Sequence, residues 1–144
     1  MEPILRVKDL SKSFSRAGKN EFFAVDHVSF DVMPGEILGI VGESGSGKST
    51  IAKLITRQID ATTGTIEIDG QDITKLTGRQ LIPVYAKIQM VFQTPTGSFD
   101  PRRTLGDGIC ESLRNKGVSK AEREAKARGL LEQCGLPGGF LERY

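Results

Sequence analysis

Hydrophobic and polar positions along this chain follow two rhythms, and the change falls near residue 94. Before it, short apolar runs alternate with glycine-bearing turns; after it, the spacing is helical. Ile4 to Val7 predicts an edge strand leading into Leu10-Ser11-Lys12-Ser13-Phe14. Residues 15–21 predict a polar hairpin loop. Val28, Phe30 and Val32 alternate with His27, Ser29 and Asp31, which predicts a half-buried antiparallel strand. Pro34-Gly35 then turns the chain into Ile37-Leu38-Gly39-Ile40-Val41. That near-continuous apolar run predicts a parallel strand buried on both faces.

Ile51, Leu54 and Ile55 fall on one helical face, with Lys53, Arg57 and Gln58 on a polar side. Thr62-Thr63-Gly64 turns into the alternating Ile66-Glu67-Ile68, and Asp69-Gly70 makes the next hairpin turn. Ile88 to Phe92 predicts a further buried strand ending at Gln93. Beyond the loop Thr94 to Arg102, Leu105, Ile109 and Leu113 mark one face of a helix. A second helix is announced by the capping box Ser119/Glu122 and supported by the pairs Glu122–Lys126 and Glu124–Arg128. Gly135 and Pro137 end it, and Phe140, Leu141 and Tyr144 start another apolar pattern. The pattern thus predicts an α/β fold, divided into residues 1–93 and a helical part, 94–144.

Composition changes this picture little. Twenty basic residues against 18 acidic ones leave a net charge of +2, and the basic residues are scattered among acids, so no nucleic-acid face is expected. No apolar run is long enough to cross a bilayer, and Met1-Glu2-Pro3 does not open a signal peptide. Cys110 and Cys134 both fall in predicted helices and are expected to be buried free thiols, not a disulfide or metal site. His27, the single histidine, lies on the polar side of its strand and is expected to be a solvated surface group.

The chemistry is concentrated between residues 42 and 50. Gly42-Glu43-Ser44-Gly45-Ser46-Gly47-Lys48-Ser49 has the spacing G-x-x-x-x-G-K-[ST] of a phosphate-binding loop, followed by Thr50 at the start of a helix. The glycines let backbone N–H groups converge on an anion, and Lys48 sets a positive charge against the β- and γ-phosphates. The Ser49 hydroxyl is suited to Mg²⁺, and the helix dipole aims its positive end at the same place. A glycine- and serine-rich surface loop is the alternative. An apolar run before the motif and an amphipathic helix after it weigh against that alternative.

With these residues in view, the chain resembles the ATP-binding subunits of ABC transporters, in collinear order over essentially its whole length. Leu10-Ser11-Lys12-Ser13-Phe14 looks like the segment whose aromatic residue stacks on adenine, here Phe14, although a core aromatic would fit the same pattern. Ile88-Gln89-Met90-Val91-Phe92-Gln93 looks like the strand that delivers the family's glutamine. The resemblance gives Gln93 a role beside Mg²⁺ and the attacking water, coupled to a helical subdomain inserted after it. It makes Lys48 and Gln93 the catalytic candidates and Ser49 and Gln93 the metal candidates. Phe14, Gly42, Glu43, Ser44, Gly45, Ser46, Gly47, Lys48, Ser49 and Thr50 become the ATP-binding set. Val41-Gly42-Glu43-Ser44 and Gln93-Thr94-Pro95 with Ser98-Phe99-Asp100-Pro101-Arg102 look like the oligopeptide, dipeptide and nickel importer branch, which more often has Leu-Asn where Phe99-Asp100 stands.

The resemblance therefore implies ATP and Mg²⁺ as cofactors, and a second ATPase subunit and membrane-spanning permease subunits as partners. It implies a location on the cytoplasmic face of the membrane. The expected fold is the P-loop NTPase core of an ABC ATPase, with an antiparallel β subdomain and the start of a helical subdomain. Leu141-Glu142-Arg143-Tyr144 resembles the approach to the family's signature, yet no Leu-Ser-Gly-Gly-Gln and no apolar strand ending in Asp-Glu occurs. These residues are accordingly expected to bind nucleotide without hydrolysing it alone. They are also expected to rearrange, swap with a neighbour or lose order after about residue 86, because the strands at 37–41 and 88–92 would lack their usual neighbours. Two other readings stay open: an ABC-type ATPase without a transport role, and a short nucleotide-independent regulatory or interaction piece.

Overall fold

The first strand, β1 (Leu5–Phe14), organises everything packed around it. The computed structural model describes residues 2–15 and 21–144, so most of the loop expected at 15–21 lies outside the described residues. β1 pairs antiparallel with β2 (Phe22–Val32) on one side and β3 (Thr63–Ile68) on the other. A two-residue strand, β4 (Gln71–Asp72), completes a sheet of order β2-β1-β3-β4. The expected edge strand at Ile4–Val7 is therefore central. Its backbone is hydrogen-bonded on both sides, and Val7 and Leu10 are buried.

Val7 and Leu10 are three residues apart, which in a regular strand would place them on opposite faces. Register shifts between Val7 and Leu10 against β2 and between Lys8 and Ser11 against β3 mark a bulge, and Asp9 takes the left-handed φ of 46°. The same device recurs on β2, where His27 has φ 49° between the inward-facing Val25 and Val28. Each bulge is closed by a serine of the opposite strand. The Asp9 N–H donates to Ser29 Oγ at 2.8 Å, and the His27 N–H donates to the buried Ser11 Oγ at 2.9 Å. The His27 ring stays exposed beside Asp26, with Nδ1 2.7 Å from Oδ1. Gly64 of β3, at φ 91°, runs so close to the β1 bulge that an added Cβ would meet Asp9 O at 2.5 Å.

One face of this sheet carries the core. Val7, Leu10, Val25, Ile66 and Ile68 pack with Ile51 and Leu54 from helix α1 (Lys48–Ile55), together with Ile73, Leu81 and Val84. Val84 belongs to a one-turn helix, α2 (Ile82–Tyr85). Arg57, at φ 55°, ends the α1 segment and buries its guanidinium, which donates to Leu76 O at 3.2 Å and to Asp60 at 2.8 Å.

Two expected strands do not form. Ile37–Val41 has no regular secondary structure, with Ile37 96% and Val41 92% exposed. Ile88–Phe92 is likewise not a strand, and Val91 is 95% exposed. A strand needs a neighbour to take its N–H and C=O groups. Among the described residues neither segment has one.

The chain divides into two compact units, Met1–Met90 and Val91–Tyr144. In the second, the helix expected across Leu105, Ile109 and Leu113 is broken at Cys110 into α3 (Leu105–Ile109) and α4 (Glu111–Asn115). Gly106 and Gly108 weaken it. Gly106 also lets the turn at 138–142 approach, since an added Cβ would meet Leu141 O at 2.8 Å. Helix α5 (Lys120–Gln133) begins where Ser119 Oγ accepts from the Glu122 N–H. Of its two expected ion pairs, Glu122–Lys126 forms at 3.0 Å; Glu124 instead faces Lys120 at 3.8 Å, while Arg128 donates to Gly138 O. Cys110, Ala127, Leu131 and Leu141 form the unit's small core. Both thiols are free, but only Cys110 is buried, donating to Arg123 O; Cys134, at the end of α5, is exposed against expectation.

Candidate nucleotide site

The end of the β1–β2 hairpin where Phe14 pairs with Phe22 and the start of α1 enclose a cleft of about 910 Å³. Its lining runs from Phe14, Ser15, Phe22 and Ala24 on the strands to residues 45–50 on the loop and helix. The loop takes its shape from two glycines in left-handed conformations, Gly45 at φ 83° and Gly47 at φ 90°. Gly47 admits no side chain, because a Cβ there would lie 2.1 Å from Ala24 O. This contact seats the loop directly on β2.

The loop winds around its own lysine. Lys48 Nζ donates to Gly42 O at 2.8 Å, to Glu43 O at 2.6 Å and to Ser46 Oγ at 3.2 Å. Three acceptors around one ammonium satisfy its donors and hold it above the loop. The first N–H groups of α1 have no acceptor within the helix, since the first helical bond there is Ile51 N–H to Gly47 O. The first turn of α1 contains no acidic residue to occupy them. An anion entering the cleft would meet these amides, the Lys48 charge and the positive end of the helix together.

Of the residues singled out in the sequence, Phe14 and Gly45 to Thr50 line this cleft. Gly42 and Glu43 contribute carbonyls to Lys48 instead of walls, and Ser44 is exposed outside the lining. Gln93 is exposed, belongs to the second unit and is not part of the lining. Phe22 and Ala24 line the cleft although pattern alone did not single them out. Their signal lies in the register, which pairs Phe14 directly with Phe22. The described residues contain no cluster of His, Cys, Asp and Glu able to hold a metal by themselves. A cation here would need phosphate oxygens beside the Ser49 hydroxyl, the usual arrangement for Mg²⁺ on a nucleotide.

In the second unit, Asp100 is held below the usual carboxylate range by a forked hydrogen bond from Arg102, whose Nε and second terminal nitrogen each lie 3.1 Å from a carboxylate oxygen. This pair closes the turn within Ser98-Phe99-Asp100-Pro101-Arg102.

The geometry defines a class first: an α/β phosphate-binding-loop fold with an antiparallel sheet over the loop. Solved structures agree. The dimeric structure of a bacterial ABC transporter cassette matches with TM-score 0.82 and 25% identity, covering 96% of this chain and 60% of that one. A dimeric, post-hydrolysis ATP-binding cassette bound to ADP and Pi matches with TM-score 0.81, also at 25% identity, with 96% and 60% covered. The ABC transporter family model matches residues 25–143. The chain belongs to the ABC transporter family.

Named relatives lie closer in sequence. The oligopeptide transport ATP-binding protein OppF of Streptococcus mutans is 41% identical over 98% of this chain and 46% of its own length. The glutathione import ATP-binding protein GsiA of Salmonella paratyphi A is 42% identical over 99% of this chain and 24% of its own. A Brucella ovis protein with the provisional name peptide import ATP-binding protein is 41% identical over 99% of this chain and 45% of its own. The chain thus spans about half the length of the first of the curated relatives it matches, or less. No helix among the described residues is long and apolar enough to cross a membrane.

Proposed function

We propose that this chain is the ATP-binding portion of an ABC importer ATPase subunit that powers uptake of peptides or nickel. The observation that supports this most is the single cleft joining Phe14 to residues 45–50, with Lys48 poised over the loop. The names of the relatives, oligopeptide transport and glutathione import, favour a peptide cargo. Lys48 and the loop amides hold the β- and γ-phosphates, Ser49 ligates Mg²⁺, and Phe14 carries the base. Gln93 reads the γ-phosphate side and couples it to the helical part that follows. The chain works with a second ATPase subunit and with permease subunits, on the cytoplasmic face of the membrane. Residues 1–93 are the nucleotide-binding core and 94–144 the helical part.

Among the described residues, no side chain lining the cleft can take a proton from an attacking water, since the lining is aromatic, glycine, alanine, hydroxyl and lysine. Binding without turnover is therefore expected of the purified 144-residue protein. Titration calorimetry with Mg-ATP should give saturable heat with the wild type. Lys48→Ala should bind about tenfold or more weakly, the worth of charge-assisted hydrogen bonds to phosphate. Equal heats for both proteins would support the nucleotide-independent reading instead, and steady phosphate release would overturn the division between binding and hydrolysis.

A further inference from the structure

Two aromatic rings, not one, face the cleft. Phe14 at the end of β1 and Phe22 at the start of β2 are direct register partners, so both side chains project from the same face of the hairpin. Phe23, the next residue, alternates to the other side and is not part of the lining. Neither Phe14 nor Phe22 belongs to the hydrophobic core, and they are 44% and 63% exposed. A phenyl ring left half in water contributes less to folding than a buried one, and two of them side by side at a phosphate loop form an apolar surface suited to a ligand with an apolar face.

The surroundings of Phe14 strengthen the case. Lys12 Nζ lies 5.1 Å from the centre of the Phe14 ring and covers one of its faces. A flat ligand then has one face of Phe14 left, too little to enclose it. Phe22, across the ladder, offers the second surface.

We propose that Phe22 is a second base-binding residue, so that the nucleobase rests on the surface made by the paired rings Phe14 and Phe22 and not on Phe14 alone. The inference rests on the nucleotide reading given above. Phenyl rings present π-faces and edges but no hydrogen-bond donor or acceptor. Recognition by these two rings is therefore by stacking, and ATP and GTP bind with similar affinity.

The test compares two ligands, Mg-ATP and magnesium tripolyphosphate, which has the phosphates without the base. Both are titrated into wild type, Phe22→Leu, Phe22→Tyr and Lys48→Ala. Phe22→Leu keeps the apolar bulk and loses the ring, so Mg-ATP should bind about tenfold more weakly, the usual worth of one stacking partner. Tripolyphosphate binding should not change in that variant, and Phe22→Tyr should match the wild type for both ligands. Unchanged Mg-ATP affinity in Phe22→Leu would overturn the proposal. So would an equal loss of both ligands, which would mark Phe22 as a structural support of the loop. A wild type that binds neither ligand, or binds both as Lys48→Ala does, would instead remove the nucleotide reading itself, a failure distinct from the first two.

Discussion

β1 has three aliphatic residues in ten and the segment Ile37–Val41 four in five, yet Leu10 of β1 is fully buried while Ile37 is 96% exposed. The difference lies in their neighbours. β1 has a hydrogen-bonded strand on each side and α1 across its inner face; Ile37–Val41 has no paired strand among the described residues. Apolar content gives a tendency to be buried, of about 1.5–3 kcal/mol per large side chain. It becomes a strand only when backbone groups also find partners. Ile88–Phe92, which spans the division after Met90, repeats the lesson.

The sharpest way to break this contrast is at the point where β1 and β3 touch. Gly64→Ala must fit a Cβ 2.5 Å from Asp9 O at a φ of 91°. Left-handed strain and overpacking together should cost about 3–5 kcal/mol, read as a fall in the urea midpoint followed by circular dichroism. Truncating equivalent side chains in the two segments comes next. Leu10→Ala should destabilise by about 3 kcal/mol, whereas Ile37→Ala should stay within about 0.5 kcal/mol. Equal effects would mean that Ile37 is buried in solution, through association or rearrangement, and sedimentation would tell which.

The smallest effect concerns the β4 turn. Thr74 donates to Asp72 from both its hydroxyl and its N–H, and these bonds hold the Asp72 carboxyl below its ordinary value near 3.8. A depressed folded value means that stability is fully present above the unfolded pKa and is lost as the pH falls through the folded one. The window thus lies below about pH 4. The carboxylate is exposed, so solvent screening should keep the contribution to about 0.5 kcal/mol or less. Asp72→Asn should flatten that part of the acid-stability curve, and an unchanged curve would show that the turn does not depend on the charge.

Much of the site is legible in the sequence. Gly45, Gly47, Lys48 and Ser49 could be singled out because a phosphate loop needs those residue types in that order, and Ile51 and Leu54 could be read as the buried face of α1 from spacing alone. Phe22 could not be read in the same way. Phe22 and Phe23 are identical in kind, and only the register of β2 against β1 decides which ring shares a face with Phe14. The bulges were equally hidden, since a serine on the opposite strand closes each one.

The sequence by itself determined the phosphate loop, the amphipathic α1 and the division of texture near residue 94, because each follows from local spacing and residue type. Tertiary structure alone decided which apolar runs become strands, that β1 is central, and that Phe14 meets Phe22 across the cleft from Lys48. These depend on pairings between residues distant in the chain, and a hydrogen-bond partner or an opposing ring is a property of the neighbour, not of the segment that meets it.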